Sequence, residues 1–374
     1  MRLLHYFSAT TIVGLAGLMI GLSAASQADN FLYVGDYGSG VLHRFDASSA
    51  ALAAPQGKLP NSPNNVDPFI AANYRVTEGV HGTANTLLVT TNVNGVGPRL
   101  ARFRRDTGAF INYVGAKTYS GIGGIAITND AKYVYIPDEA GNTLYRVNTF
   151  DGSIAASVGL TGVHDVVISP DGTYILAAGY AHTAGYTVGG TAYSVLKFNA
   201  DLTGETGFIK LNDAATGNLT NATGMSFAAD GSLFVGNNKR STSVDSSIFH
   251  FNGNGSYINK VSDPKLDGIF GVDYGPDGNI YASGLASAYG APTSFDCVVK
   301  YNLTYKTNNV LDIYNPSAVS AYLLGNQAVS KYLKFDTNFA PTNDPFTPEP
   351  GTIGLLSALT VSGASLGLRR RKRA

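Results

Sequence analysis

The body of this chain repeats. A strand, an Asp-Gly turn, a second strand, a loop and a strand ending aromatic-Asx recur along it. The clearest copies begin at Gly121 (GIGGIAITNDAKYVYIPDEAGNTLYRVN), Gly162 (GVHDVVISPDGTYILAAG, then YSVLKFN), Asn221 (NATGMSFAADGSLFVGNN, then SIFHFN) and Gly268 (GIFGVDYGPDGNIYASG, then CVVKYN). A looser copy runs from Glu78 through Leu87, Leu88 and Val89 to Phe103. One aligned position falls at Gly124, Asp165, Gly224 and Gly271, in steps of 41, 59 and 47 residues. The long step holds an insertion, Ala181 to Gly190. Repeats of about 40 to 50 residues with about four strands each predict a β-propeller. A single copy cannot bury both faces of its sheet, so the copies must pack side by side in a ring that closes.

The local chemistry agrees. Asp171-Gly172, Asp230-Gly231 and Asp277-Gly278 supply residues that tolerate positive φ between paired strands. Asn129-Asp130 is expected to do the same less ideally. Alternation is visible in Tyr133-Val134-Tyr135-Ile136 and in Leu144-Tyr145-Arg146-Val147. The two ends of the body carry matching pieces. Phe31–Gly35 followed by Val41–Asp46 looks like the middle of a repeat, and so does Tyr322–Gly325 followed by Lys331–Asp336. Counted separately they favour seven blades; sharing one blade, they give six. A β-sandwich or β-helix is the alternative. In style the body resembles NHL-repeat and gluconolactonase-like propellers, through its Gly-rich turns and aromatic-Asx strands.

Both ends read as addresses rather than fold. Arg2, the apolar run Thr11–Leu22 and Ser26-Gln27-Ala28 form a secretory signal peptide over residues 1–28, cut after Ala28. An uncleaved anchor is the other reading. At the far end, Pro348-Glu349-Pro350 precedes an apolar run, Ile353–Leu368, and a basic cluster, Arg369, Arg370, Arg371, Lys372 and Arg373. The run would be roughly 24 Å long as a helix, marginal for a span that wants about 20 residues. The basic cluster orients it with the C-terminus in the cytoplasm. This three-part tail resembles the PEP-CTERM sorting signal of Gram-negative bacteria, over about the last 28 residues. The resemblance implies recognition by an exosortase-type membrane protease, after export and signal peptidase cleavage. A plain C-terminal anchor that is never cut is the other reading. The expected organisation is thus a signal peptide (1–28), a propeller (29–340), a linker with the Pro-Glu-Pro motif (341–352), and a transmembrane helix with its basic tail (353–374).

Charge narrows the partners. The whole chain has 26 basic and 26 acidic residues. Six of the basic residues and Glu349 lie in the address segments, which leaves 20 basic against 25 acidic in the body. A mildly acidic body argues against a nucleic acid partner, which needs a basic face. The one cysteine, Cys297, cannot form an internal disulfide and reads as a small buried residue beside Val298 and Val299.

Candidate chemistry sits where the first strands of a propeller line the channel. The repeat alignment puts His81, Gly123, His164, Thr223 and Phe270 in one column, with Glu78 and Asp165 close by. Glu78, His81, His164 and Asp165 are the candidate channel site. Imidazole and carboxylate together suit a divalent cation or acid–base work. The plain alternative is histidines hydrogen-bonded to backbone at the rim. No resident cofactor is expected, although a divalent cation fits the residue types. Asp138-Glu139 reads as a solvated turn, and Arg102, Arg104 and Arg105 as a strand face and turn with some capacity for an acidic polysaccharide. The Tyr186–Tyr193 stretch reads as a mobile surface loop, or else one that faces sugar. No catalytic residues are assigned.

The expected function is an exported, exosortase-processed protein of the cell surface or extracellular matrix. It would act as a binding or structural module linked to exopolysaccharide or biofilm. The alternative is an exported propeller hydrolase or lyase with a metal in its channel.

Overall fold

The repeats fold into sheets that share one strand order, first strand innermost and last strand outermost. The computed structural model describes residues 31–36, 41–46, 57–59, 77–83, 86–93, 97–104, 110–179, 185–238, 246–262, 266–275, 277–286, 295–301, 303–305, 311–313, 320–326 and 330–335. The expected signal peptide (1–28), the expected linker with Pro-Glu-Pro (341–352) and the expected transmembrane helix with its basic tail (353–374) lie outside the described residues.

Strands β1 (Phe31–Asp36), β2 (Val41–Asp46) and β3 (Gly57–Leu59) form one sheet with the last strand, β27 (Ser330–Phe335), in the order β27-β1-β2-β3. The next contains β4 (Thr77–Thr83), β5 (Thr86–Val93), β6 (Gly97–Arg104) and β7 (Phe110–Tyr113). The third contains β8 (Ala126–Ile127), β9 (Tyr133–Asp138), β10 (Thr143–Asn148) and β11 (Ile154–Gly159). The fourth has five strands: β12 (Val163–Ile168), β13 (Tyr174–Gly179), β14 (Tyr186–Val188), β15 (Thr191–Asn199) and β16 (Thr206–Lys210). The fifth contains β17 (Ala222–Phe227), β18 (Leu233–Asn237), β19 (Ser247–Phe251) and β20 (Tyr257–Ser262). The sixth contains β21 (Leu266–Tyr274), β22 (Ile280–Ala286) and β23 (Phe295–Tyr301), with β26 (Ser320–Asn326) outermost. A small hairpin, β24 (Leu303–Tyr305) and β25 (Leu311–Ile313), stands between β23 and β26 in the chain.

Five four-stranded sheets and one five-stranded sheet thus make up the ring among the described residues. Innermost strands meet in sequence: β4 with β8, β8 with β12, β12 with β17, β17 with β21, β21 with β27, and β27 with β4. The favoured count of seven is corrected here. It counted the two end pieces separately, but β27 pairs antiparallel with β1, Leu32 opposite Phe335 and Val34 opposite Leu333. Lys331–Phe335 of the C-terminal piece thus joins the N-terminal piece in one sheet and closes the ring, whereas Tyr322–Gly325 lies in β26 of the sixth sheet.

The core lies between sheets. Ala126, Tyr135 and Leu144 of the third sheet pack against Val166, Ile175 and Leu196 of the fourth. Val167, Leu176 and Val195 of the fourth pack against Met225, Val235 and Phe249 of the fifth. Phe234 and Ile248 meet Val272, Ala282 and Val299 in the next layer, which also holds Cys297. Cys297 is fully buried, as its apolar neighbours led us to expect.

The turns explain the repeat's punctuation. Gly172, Gly231 and Gly278 have φ of 71°, 81° and 77°. The aspartate before each accepts from the residue two positions on: Asp171 from Thr173 N, Asp230 from Ser232 N and Asp277 from Asn279 N. In the third sheet Asp130 accepts from Lys132 N in the same way, but the positive φ (56°) falls on Ala131. The expectation that Asn129-Asp130 would supply it was one residue early. All these turns follow a first strand, so they share one face of the ring. The loops between second and third strands lie on the other.

Candidate functional site

The aligned column coincides with irregularities in the innermost strands. Pairing shifts register between Thr77 and His81 in β4, Val163 and Asp165 in β12, and Ala222 and Met225 in β17. It shifts twice in β21, the second time between Ile269 and Gly271. His164, Thr223 and Phe270 therefore occupy bulges, which bend a strand and re-aim its side chains. The aligned column marks a backbone irregularity of the innermost strands.

What these side chains do differs from sheet to sheet. His164 is buried, and its Nδ1 lies 2.9 Å from Oε2 of Glu139, which is about a quarter exposed (25%). Its carbonyl accepts from Gly124 N at 2.7 Å. Gly123, its column neighbour, rests on that same carbonyl: a Cβ there would lie 1.8 Å from the oxygen. Glycine at this place is a packing requirement. Asp165, also buried, accepts from Met225 N at 2.6 Å and joins β12 to β17. Thr223 Oγ1 donates to Ile269 O at 2.9 Å, and Ser226 Oγ to Asp273 Oδ1 at 2.7 Å, joining β17 to β21. Ser226 Oγ in turn accepts from Tyr274 N at 3.0 Å. The polar residues of the inner strands act as staples between neighbouring sheets, in keeping with the rule that buried polar groups are paired.

The four candidate residues divide accordingly. His164 and Asp165 are adjacent on β12 but engage different partners. Glu78 and His81 lie on β4, with His81 opposite Leu88; their side chains are outside the described residues. Pro348, Glu349, Pro350 and Arg369, Arg370, Arg371, Lys372 and Arg373 also lie outside them. Among the described residues no group of three or more His, Cys, Asp or Glu is placed to hold a metal ion.

Glu139 is the partner that sequence reasoning missed. Asp138-Glu139 was read as a solvated turn, yet Asp138 is buried at the end of β9. Its Oδ1 accepts from Gly121 N at 2.8 Å and from Ser120 N and Gly141 N at 3.0 Å each. Asn237 does the same at the end of β18, where its Oδ1 accepts from Asn221 N at 2.9 Å and Thr220 N at 3.3 Å. An Asx at the end of a second strand was the available signal.

Two further readings are corrected. Arg102 is buried; its Nη2 donates to Thr149 O and ties the second sheet to the third, so it is no surface ligand. Tyr186 and Tyr193 do not form a mobile surface loop. Tyr186 is buried in the layer between the third and fourth sheets, and Tyr193 packs against the same layer. Burial first, and the nearby Glu139 carboxylate second, hold the Tyr186 hydroxyl well above the ordinary tyrosine range.

Across known proteins the likeness is one of shape. No family model and no curated protein sequence matches this chain. Many solved structures do. A chain of the nidogen/laminin complex superposes with a TM-score of 0.55 at 12% identity, covering 83% of this chain and 99% of that one. A 6-phosphogluconolactonase candidate from Bacteroides uniformis gives 0.50 at 14% identity, covering 82% and 99%. A functionally unknown protein from Desulfotomaculum acetoxidans gives 0.50 at 11% identity, covering 83% and 99%. The fold is a β-propeller. At these identities the likeness carries the fold alone, since one propeller scaffold hosts many unrelated functions.

Proposed function

We propose that this propeller is an exported protein of the cell surface or extracellular matrix, acting as a non-catalytic binding or structural module. The observation that carries the reading is the tail: Pro348-Glu349-Pro350, a short apolar run and Arg369–Arg373, in the order of a PEP-CTERM signal. Signal peptidase would remove residues 1–28, and an exosortase-type protease would process the tail. The ring geometry is compatible with both cuts. Among the described residues its closing strands are β1, beginning at Phe31, and β27, ending at Phe335, and both lie inside the two proposed cuts. The partner implied by the resemblance is exopolysaccharide or other biofilm material.

A binding role is supported over catalysis by how the inner-strand groups are used. Asp165 is engaged by a backbone N–H of the next sheet, and the His164 imidazole by Glu139. The alternative, a hydrolase or lyase with a metal in the channel, would draw on Glu78 and His81 as well. The test is co-sedimentation of the purified body with exopolysaccharide from its host, run beside a metal assay and a panel of lactone and uronate substrates. Retention on the polymer by metal-free, inactive protein is the expected result. Turnover that depends on bound metal, with no retention, would replace the binding reading by the enzymatic one.

A further inference from the structure

The topology fixes where the two ends of the body leave the ring. In the other sheets a turn joins the first strand to the second, as at Asp171-Gly172 between β12 and β13 or Asp230-Gly231 between β17 and β18. In the closing sheet the first strand is β27 and the second is β1, with Leu32 opposite Phe335. The end of β27 and the start of β1 thus stand where that sheet's own turn would be. Both ends of the body emerge side by side on the face that carries the aspartate turns.

We infer that the tethered precursor is held through this turn face. The bilayer surface is then its neighbour, and the opposite face, bearing the loops at Asp138–Thr143 and Gly159–Val163, points away and is left for large partners. The inference rests on the proposed reading of the tail as a membrane segment. Seventeen residues separate Phe335 from Ile353. An unstructured chain of that length spans roughly 23 Å. Strands of about six residues at ~3.3 Å each put the two faces roughly 20 Å apart. A tether about as long as the ring is thick keeps its own face nearer the bilayer, because turning the ring over would require the chain to pass around the edge of the ring as well as across its thickness. The turn face also carries Asp130, Asp171, Asp201 and Asp230, so on anionic lipid it would stand off from the surface rather than bind it.

The test uses the full chain reconstituted in vesicles that carry a fluorescent acceptor on their headgroups. Single donors are placed at Ala229→Cys on the turn face and Ala140→Cys on the loop face, both exposed alanines. The native Cys297 is buried, and unsubstituted protein serves as the labelling control. With a donor–acceptor pair whose working range spans the ~20 Å difference in height, energy transfer from position 229 should exceed that from position 140 by about two-fold or more. Equal or reversed transfer from chain that floats with the vesicles would overturn the orientation and leave the tail reading standing. Chain that fails to float with the vesicles would remove the tail reading and this inference with it.

Discussion

Replacing Asp138 by alanine should be among the more damaging single changes to the third sheet. The carboxylate is buried and one oxygen accepts from three backbone N–H groups, those of Ser120, Gly121 and Gly141. Alanine would leave all three without this partner. The Gly121 N–H is buried and bears the full penalty of about 1–3 kcal/mol for an unmet donor. Ser120 and Gly141 lie nearer solvent, and water would restore part of their loss. The sum is about 3 kcal/mol. Asp138→Asn should cost only about 1 kcal/mol, since Asn237 performs the equivalent task in the fifth sheet with a neutral amide oxygen. Urea titration of the purified body, followed by tyrosine fluorescence, reads both variants against the parent, with stability taken from the midpoint at constant slope. An alanine variant within about 0.5 kcal/mol of the parent, or an asparagine variant as unstable as the alanine one, would refute the reasoning.

Other consequences follow from the same contacts. Gly123→Ala places a methyl on the His164 carbonyl and should prevent normal packing of β12, whereas Gly231→Ala, at φ 81° with open space around it, should cost about 1–2 kcal/mol; similar losses in thermal melts would remove the packing argument. Burial pushes the Asp277 carboxyl up, but hydrogen bonds from Lys300, Asn279 and Tyr281 outweigh it and hold the group below the ordinary carboxylate range. That stabilisation is fully present above about pH 4 and is lost as pH falls through the lower native value. Asp277→Asn should therefore lose about 2 kcal/mol at neutral pH, less than a fully buried pair because the carboxylate is partly exposed, and the gap should close as pH falls below the ordinary carboxylate range. A gap that stays constant with pH would point to packing instead of charge. Zinc or calcium should leave the melting temperature of the body unchanged; a rise abolished by His81→Ala with His164→Ala would establish the channel as a metal site.

The repeat was legible because each blade solves the same problem with the same residues. Asp-Gly turns, alternating strands and the aromatic-Asx ending of third strands are local, so they show in sequence. The residue before the last apolar position of those strands covers an aromatic ring of the second strand: Lys197 lies over the Tyr174 ring at 3.9 Å, Arg146 over Tyr133 at 3.8 Å, and His250 stacks on Phe234 at 4.3 Å. The apolar residue that follows, Val147, Phe198 or Phe251, enters the layer between sheets. The blade count was harder, because ring closure is a pairing between residues about 300 apart, and no local signal shows whether two half-blades are one. The candidate site was half legible. Alignment found the bulged column, but a histidine on a bulge bonds to whatever the neighbouring loop offers, and Glu139 comes from a different sheet. Burial of Asp138 was hidden for the same reason: its partners, Ser120 and Gly121, lie before the strand it follows.

The central claim is that this propeller is exported and trimmed at both ends. Its most direct test is the intact mass of the native protein from its own host, separated into membrane and secreted pools. The account predicts a secreted or surface form lacking residues 1–28 and everything after the Pro-Glu-Pro region. A single membrane-bound form that still carries Arg369–Arg373 would contradict it and make the tail a simple anchor.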